Sequence, residues 1–257
     1  MSSSLRPRIW LVTDAVYPAA RTLAVARAVA AALPAGAFAV QLRAVPAARA
    51  AVAAPSDASV ASRAVRASGA EGASGAYGAY DGVAAEGIVA LGRAIVAAGV
   101  PVVVNVAPAV RVAAEVGAVG VHLGIGARGV TARDVRAALG ADAFVSAPAH
   151  DDEDVGLARA SRVDAVFVSP IFASPGKAAP RGVGALARAR SLAGDAIAVY
   201  ALGGVEVRVG CVRSCCEAGA DGVAVVRALY TSDDPARDAR ALHDECPRES
   251  PESVARR

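Results

Sequence analysis

The chain has 257 residues, a hydrophobic content of 55%, a charged content of 20% and a formal net charge of +3. That apolar fraction excludes a main body that stays unfolded, and so small a positive excess gives no electrostatic case for wrapping a polyanion, although it does not oppose a small phosphorylated ligand. Residues 1–8 are polar and lead straight into Ile9-Trp10-Leu11-Val12 without a secretory pattern, and apolar stretches such as 21–40 are broken by Arg, Pro and Gly, so a cytoplasmic protein with no membrane span is expected.

Short runs rich in Val, Ile, Leu and Phe alternate with longer stretches of helical spacing. In chain order, strands are expected at 8–13, 37–43, 101–105, 120–124, 143–148, 164–170, 196–203 and 222–227. Helices are expected near 21–33, 84–99, 107–117, 131–140, 151–161, 183–194, 206–219 and 233–245. Thr131 and the acidic run 151–154 read as helix starts, and Gly99, Gly117 and Gly219 as helix ends that lead into the next strand. Eight β-α units in a chain of this size predict an α/β fold of the (β/α)8 TIM-barrel type. An open doubly wound sheet is the alternative, but no G-x-G-x-x-G follows the first strand.

The barrel is expected as one domain over 8–246, followed by a disordered polar tail, 247–257. One segment departs from the pattern: 44–83 is a low-complexity insertion of Ala, Ser, Gly and Arg after the second strand. It reads either as a disordered loop or as a flap over the barrel mouth with Tyr77 and Tyr80 as anchors. Cys211, Cys215, Cys216 and Cys246 lack the paired short spacings of a metal site and are expected to be buried, idle thiols.

Within the polar residues the composition is skewed. Among 27 basic residues the single lysine is Lys177, and Asn105 and Gln41 are the single asparagine and glutamine. Ala, Arg, Gly and Val dominate, as under pressure toward GC-rich codons, so a retained Lys, Asn or Gln marks a position whose chemistry Arg, Asp or Ala does not supply. Sites in such barrels are built at the C-terminal ends of the strands. Gln41 and Arg43 end the second predicted strand, Asn105 the third, and His122 lies near the end of the fourth; His150 follows the fifth and Lys177 the sixth.

Plainer roles stay open for each. Gln41 could bridge backbone groups inside the barrel, Asn105 could cap the helix near Pro108, and His122 could be a satisfied core histidine. His243, on the last helix, reads as a solvated or packing residue. The ammonium of Lys177 suits a phosphate or a developing anion. Gly203 and Gly204 end the seventh strand, where they would make either a tight turn or the anion cup usual for the loops after strands seven and eight.

The segments WLVTD (10–14), VQLR (40–43), VVVN (102–105), GVHLG (120–124), SPIFASPGK (169–177), ALGG (201–204) and GADGVAVV (219–226) together resemble the thiamin phosphate synthase and TenI family of barrels. The resemblance runs over 8–230 apart from the insertion. It implies an enzyme of thiamin biosynthesis acting on small phosphorylated thiazole and pyrimidine substrates, with no nucleic acid or membrane partner and a homodimer left open. By resemblance, Gly204 and the backbone at Val225 and Val226 would hold a thiazole phosphate. Ser174 and Lys177 would meet the pyrophosphate of the pyrimidine substrate, and Gln41, Arg43 and Asn105 the pyrimidine or its pyrophosphate.

The chain also departs from the synthase pattern. Synthases follow the strand-three Asn with Asp, and HLG with Gln-x-Asp; those aspartates carry Mg²⁺, and here Val106 and Ile125-Gly126-Ala127 stand instead. Val45 replaces a lysine two positions past the strand-two Arg. Expelling pyrophosphate depends on electrostatic stabilisation of the leaving group. The leading expectation is therefore a TenI-like thiazole tautomerase that needs no metal or other cofactor. His150, in SAPAHDDEDV (146–155), would be its acid/base, assisted by His122 or Lys177, although Pro148 replaces the Ser of the family's S-x-H. One alternative is a divergent synthase joining hydroxymethylpyrimidine pyrophosphate to thiazole phosphate, with Mg²⁺ on carboxylates such as Asp14 or Asp81. The other is a non-catalytic binder of thiamin or thiazole phosphate.

Overall fold

Eight parallel strands close in sequence order into a barrel in the computed structural model, which describes residues 5–43, 82–124, 127–174 and 177–246. The elements run β1 (Ile9–Val12), α1 (Ala19–Ala32), β2 (Phe38–Arg43), α2 (Gly82–Ala97), β3 (Val102–Asn105), α3 (Ala109–Val116), β4 (Gly120–His122) and α4 (Ala132–Leu139). The second half runs β5 (Phe144–Ala149), α5 (Asp152–Ala160), β6 (Ala165–Val168), α6 (Gly184–Ala193), β7 (Ala198–Leu202), α7 (Cys211–Glu217), β8 (Gly222–Val225), α8 (Arg227–Tyr230) and α9 (Pro235–Asp244). The expected (β/α)8 barrel is the fold observed.

Residues 82 and 83, read as part of the insertion, begin α2. The remainder, 44–81 with Val45, Tyr77, Tyr80 and Asp81, and the tail 247–257 lie outside the described residues. Among the described residues no helix is long and apolar enough to cross a membrane.

Alternation along the strands separates two apolar layers. Ile9, Leu11, Val40, Val102, Val104, Val121, Val166, Val199 and Val223 point outward and bury against the helices. Trp10, Ala39, Val103, Phe144, Phe167, Tyr200 and Ala224 point inward and fill the barrel. Each such Val or Leu removed from water stabilises the fold by roughly 1.5–3 kcal/mol. The interior is plugged by aromatics, with the Trp10 ring 5.7 Å from Phe144, 5.3 Å from Phe167 and 5.6 Å from Tyr200. Burial raises the Tyr200 phenol well above its ordinary pKa, and the adjacent Trp10 side chain offsets part of that rise.

The N-terminal end of the barrel repeats one device. Asp164, just before β6, accepts from the Val145 N–H of β5 at 2.7 Å and from Arg136 of α4 at 2.9 Å. Asp221, just before β8, accepts from the Val199 N–H of β7 at 2.7 Å and from Arg190 of α6. A single carboxylate thus ties a strand end to its neighbour and to a helix, which closes the ladder where a turn would leave N–H groups unpaired.

The local signals read from the sequence account for most helix ends. Thr131 and Asp134 form a capping box on α4, Asp151 caps α5, and Gly117 ends α3 in the left-handed region. Three expectations are corrected. The helix expected over 206–219 is confined to Cys211–Glu217, because left-handed Gly203, Gly204 and Gly210 hold the preceding loop out of helical geometry. The last strand stops at Val225 rather than 227, and Arg227 opens α8. Cys216 and Cys246 are not idle thiols but a disulfide, with Cα atoms 5.8 Å apart, whereas Cys211 and Cys215 remain free and buried. Ring closure alone brings the ends of α7 and α9 together, so chain spacing carried no sign of the pair. Burial pushes the Cys215 thiol up to about 12.

Candidate active site

The polar residues singled out at strand ends converge on one face. Strand pairing sets Arg43 of β2 beside Asn105 of β3, and His122 of β4 beside Ser146 of β5. Gln41, Asn105, His122 and Ser146 are all buried, with exposures of 2%, 7%, 4% and 0%. Gly124 lies where β3 and β4 converge: a Cβ there would stand 2.9 Å from Asn105 Oδ1 and 3.0 Å from the His122 ring. Only glycine leaves that space open.

Two of the plainer roles are not realised. Gln41 Nε2 and Asn105 Oδ1 are buried and meet no hydrogen-bond partner among the described residues. Gln41 Nε2 therefore bridges no backbone groups, and α3 begins at Pro108 without a side-chain cap. Trp10 Nε1 and Tyr200 Oη are also buried without a partner, but they belong to the aromatic plug, where the two rings meet edge-on. The Gln41 and Asn105 atoms are one donor and one acceptor at the mouth. Leaving such groups buried and unsatisfied costs about 1–3 kcal/mol each, a cost that a ligand with matching polar edges would remove.

His122 is both a packed and a mouth residue. Its Nδ1 lies 3.0 Å from Ser146 Oγ and its ring meets Phe167 edge-on, with centroids 5.3 Å apart. Burial, then the nearby positive charge of Arg43, then His150, hold its pKa down to about 3. At neutral pH it is an uncharged imidazole that can hydrogen-bond and cannot act as a cation.

His150 is the exposed partner at the same mouth. Its N–H donates to Asp154 Oδ2 at 2.7 Å, and its ring Nδ1 lies 3.3 Å from both the carbonyl oxygen and the hydroxyl of Ser169. Arg181 braces this turn, donating to the Ala149 carbonyl at 3.3 Å and to Asp152 at 3.1 Å. The Arg181 N–H also bonds the Pro170 carbonyl, so one residue joins the loop after β6 to the histidine turn after β5. Ser169 and Arg181 were not singled out from the sequence; Ser169 opens the segment SPIFASPGK, which was the available signal.

Lys177 is exposed on the loop after β6, its N–H bonded to the Ser174 carbonyl at 3.2 Å, so both expected pyrophosphate contacts share one turn. That loop presses on the next one. Gly203 and Gly204 have φ of +97° and +67°, and a Cβ on them would stand 2.9 Å from Pro170 and 2.5 Å from the Ala173 carbonyl oxygen. Close approach of the two loops is therefore sufficient reason for both glycines. Val225 directs its side chain into the outer apolar layer, which leaves only its backbone for a ligand, while Val226 is half-buried beside the inner layer. The rest of the mouth includes a crevice of about 170 Å³ between Thr13, Asp14, Tyr17, Arg43 and Leu91, below the 300–1,000 Å³ of ordinary ligand pockets. His243, on α9, is buried at 9% exposure with Nδ1 3.2 Å from Asp244, remote in chain and element from these residues.

A sequence model described as thiamine monophosphate synthase matches residues 79–229, more than half of the chain. The chain belongs to the thiamin phosphate synthase and TenI family. Among curated proteins, it is 38% identical to the thiamine-phosphate synthase of Albidiferax ferrireducens over 53% of this chain and 60% of that protein. It is 32% identical to that of Mycobacterium bovis over 47% and 54%. The chain thus matches little more than half of the length of these relatives. Among solved structures, the thiamine phosphate pyrophosphorylase of Pyrococcus furiosus superposes with a TM-score of 0.62 at 16% identity, covering 95% of this chain and 98% of that one, which supports the barrel fold.

The positions at which the resemblance implies metal-binding aspartates are apolar and buried here. Val106 and Ala127 are 2% and 4% exposed and packed in the outer apolar layer. Among the described residues no group of three or more His, Cys, Asp or Glu could hold a metal ion. Asp14, offered as a substitute ligand, lines the crevice beside Arg43 with no second carboxylate among its walls. Asp81, the other carboxylate offered, lies outside the described residues.

Proposed function

We propose that the chain catalyses synthase-type coupling: a thiazole phosphate attacks the methylene carbon of a hydroxymethylpyrimidine pyrophosphate. The observation that carries this reading is the pair of buried, unsatisfied atoms Gln41 Nε2 and Asn105 Oδ1 at the mouth. One donor and one acceptor on adjacent strands suit an aminopyrimidine edge, which presents ring-nitrogen acceptors beside an amino donor. The names of the relatives point to the same activity. In this reaction the thiazole nitrogen forms the new C–N bond while the methylene C–O bond breaks, and pyrophosphate leaves with the bonding electrons. Arg43 and Lys177 supply the positive charge for that leaving group, Gln41 and Asn105 orient the ring, and neutral His122 with Ser146 forms the polar wall behind it. Gly203, Gly204 and the backbone at Val225 and Val226 are the proposed cradle for the thiazole phosphate. No step is assigned to a metal.

A second reading, thiazole tautomerase, is favoured by the combination of apolar Val106 and Ala127 with an exposed His150 whose ring is anchored on Ser169. Moving one proton needs a titratable group near neutral pH and no leaving-group stabilisation. The two readings separate in one experiment with the purified chain. Coupling, followed by pyrophosphate release, should drop at least about tenfold in Gln41→Met, the equivalent of one lost hydrogen bond. Absence of coupling together with aromatisation of the thiazole tautomer that His150→Ala abolishes would overturn the synthase reading in favour of the second. Tight binding of thiazole phosphate with neither turnover would overturn both.

A further inference from the structure

Arg43 is the last residue of β2, and its backbone is held in an unusual way. In a parallel ladder the N–H and C=O of one residue point to the same neighbouring strand. Those of Arg43 point toward β1, whose pairing with β2 ends at Val12 and Gln41. The next residue, Thr13, has left the strand, although its N–H still bonds the Gln41 carbonyl at 3.0 Å. Its hydroxyl takes both groups of Arg43, donating to the carbonyl at 2.6 Å and accepting from the N–H at 2.7 Å. Thr13 is 3% exposed, so water does not compete freely for either bond.

We propose that Thr13 is a positioning residue for Arg43. Its side chain replaces the strand residue that β1 lacks, and it fixes the Cα–Cβ direction of the arginine whose charge serves the anionic part of the substrate. Alternation puts Arg43 on the same inner face as Gln41, and with both main-chain groups held the direction in which its side chain leaves the strand end is fixed. Arg43 and Thr13 also both line the crevice that contains Asp14. The role is specific to a hydroxyl. Valine has the same shape and neither bond, whereas serine keeps both.

The inference rests on the reading that Arg43 meets the anion, and the test keeps the two apart. Binding of inorganic pyrophosphate to the full chain is measured by calorimetry for Thr13→Val, Thr13→Ser, Arg43→Gln and the Thr13→Val/Arg43→Gln pair. A misplaced charge predicts a roughly ten- to hundredfold loss in Thr13→Val. Thr13→Ser should stay within about twofold of the parent, and the double variant should bind no more weakly than Arg43→Gln alone, because the two residues act through one contact. Should the valine variant not fold, Thr13→Ala takes its place with the same expectation. Loss in Arg43→Gln with parental binding in Thr13→Val overturns the positioning role while the anion reading stands. Additive losses in the double variant overturn it as well, since Thr13 would then act elsewhere. Parental binding in every variant overturns the assignment of Arg43 to the anion, and the positioning role with it.

Discussion

The two ends of the barrel are built from similar residue types and treat them differently. At the N-terminal end, Asp164 and Asp221 each accept a backbone N–H and an arginine, so their charges are fully engaged in joining strands and helices. At the C-terminal mouth, Gln41 and Asn105 are more deeply buried than either aspartate, yet each keeps an atom without a partner. Polar groups at the closed end are satisfied within the fold; those at the open end leave buried atoms unsatisfied, at a cost to stability. The aromatic plug of Trp10, Phe167 and Tyr200 lies between and separates the two functions.

This contrast makes opposite predictions for substitutions at the two ends. The largest effect is expected at the mouth: Asn105→Leu should lower turnover at least about tenfold while leaving the thermal midpoint unchanged or raised, because an unsatisfied buried atom is removed. Steady-state kinetics and thermal denaturation on the same sample check this, and parallel losses of activity and stability would break the comparison. At the closed end, Asp221→Ala should cost about 2 kcal/mol by releasing Arg190 and the Val199 N–H. For a chain of this size that is roughly 4–8 °C in the midpoint. Turnover measured well below the transition should be unchanged.

Gly204→Ala tests the seam between the loops after β6 and β7. The added Cβ meets the Ala173 carbonyl oxygen at 2.5 Å and the left-handed φ disfavours alanine, so about 1–3 kcal/mol of destabilisation is expected, with weaker substrate binding through the Lys177 loop. Chemical denaturation and KM are the readouts.

The last effect is in acid. His122 has a folded pKa of about 3, below its ordinary 6.5. The unfolded chain therefore takes up a proton that the folded chain refuses, and stability is lost as pH falls from about 6.5 toward 3. The slope attributable to this residue is at most about 1.4 kcal/mol per pH unit. Thermal midpoints of the parent should fall through that window more steeply than those of His122→Gln, and equal slopes would show that the imidazole is not the group being excluded from protonation.

The strands and the polar residues at the mouth were legible along the chain. Runs such as VVVN and GVHLG placed strands, and Lys177, Asn105 and Gln41 stood out as the only residues of their types in a composition dominated by Ala, Arg, Gly and Val. Other contributions were hidden because they depend on pairs distant in sequence. Thr13 looked like an ordinary strand end until Arg43, 30 residues later, was seen on its hydroxyl. Arg181 was one of many arginines until it joined the two loops around His150. The Cys216–Cys246 disulfide needed the last helix to return beside α7.

The sequence by itself determined the order of β-α units, the alternation that makes an inner and an outer apolar layer, and the residue types at the strand ends. These follow from local period and composition. Only the tertiary structure decided which polar groups are satisfied. Whether a buried amide finds a partner depends on the register between strands and on the atoms of neighbouring loops, and no local rule reports that. The same is true of Val106: its identity is plain in the chain, but its burial in the outer layer follows from closing the barrel around it.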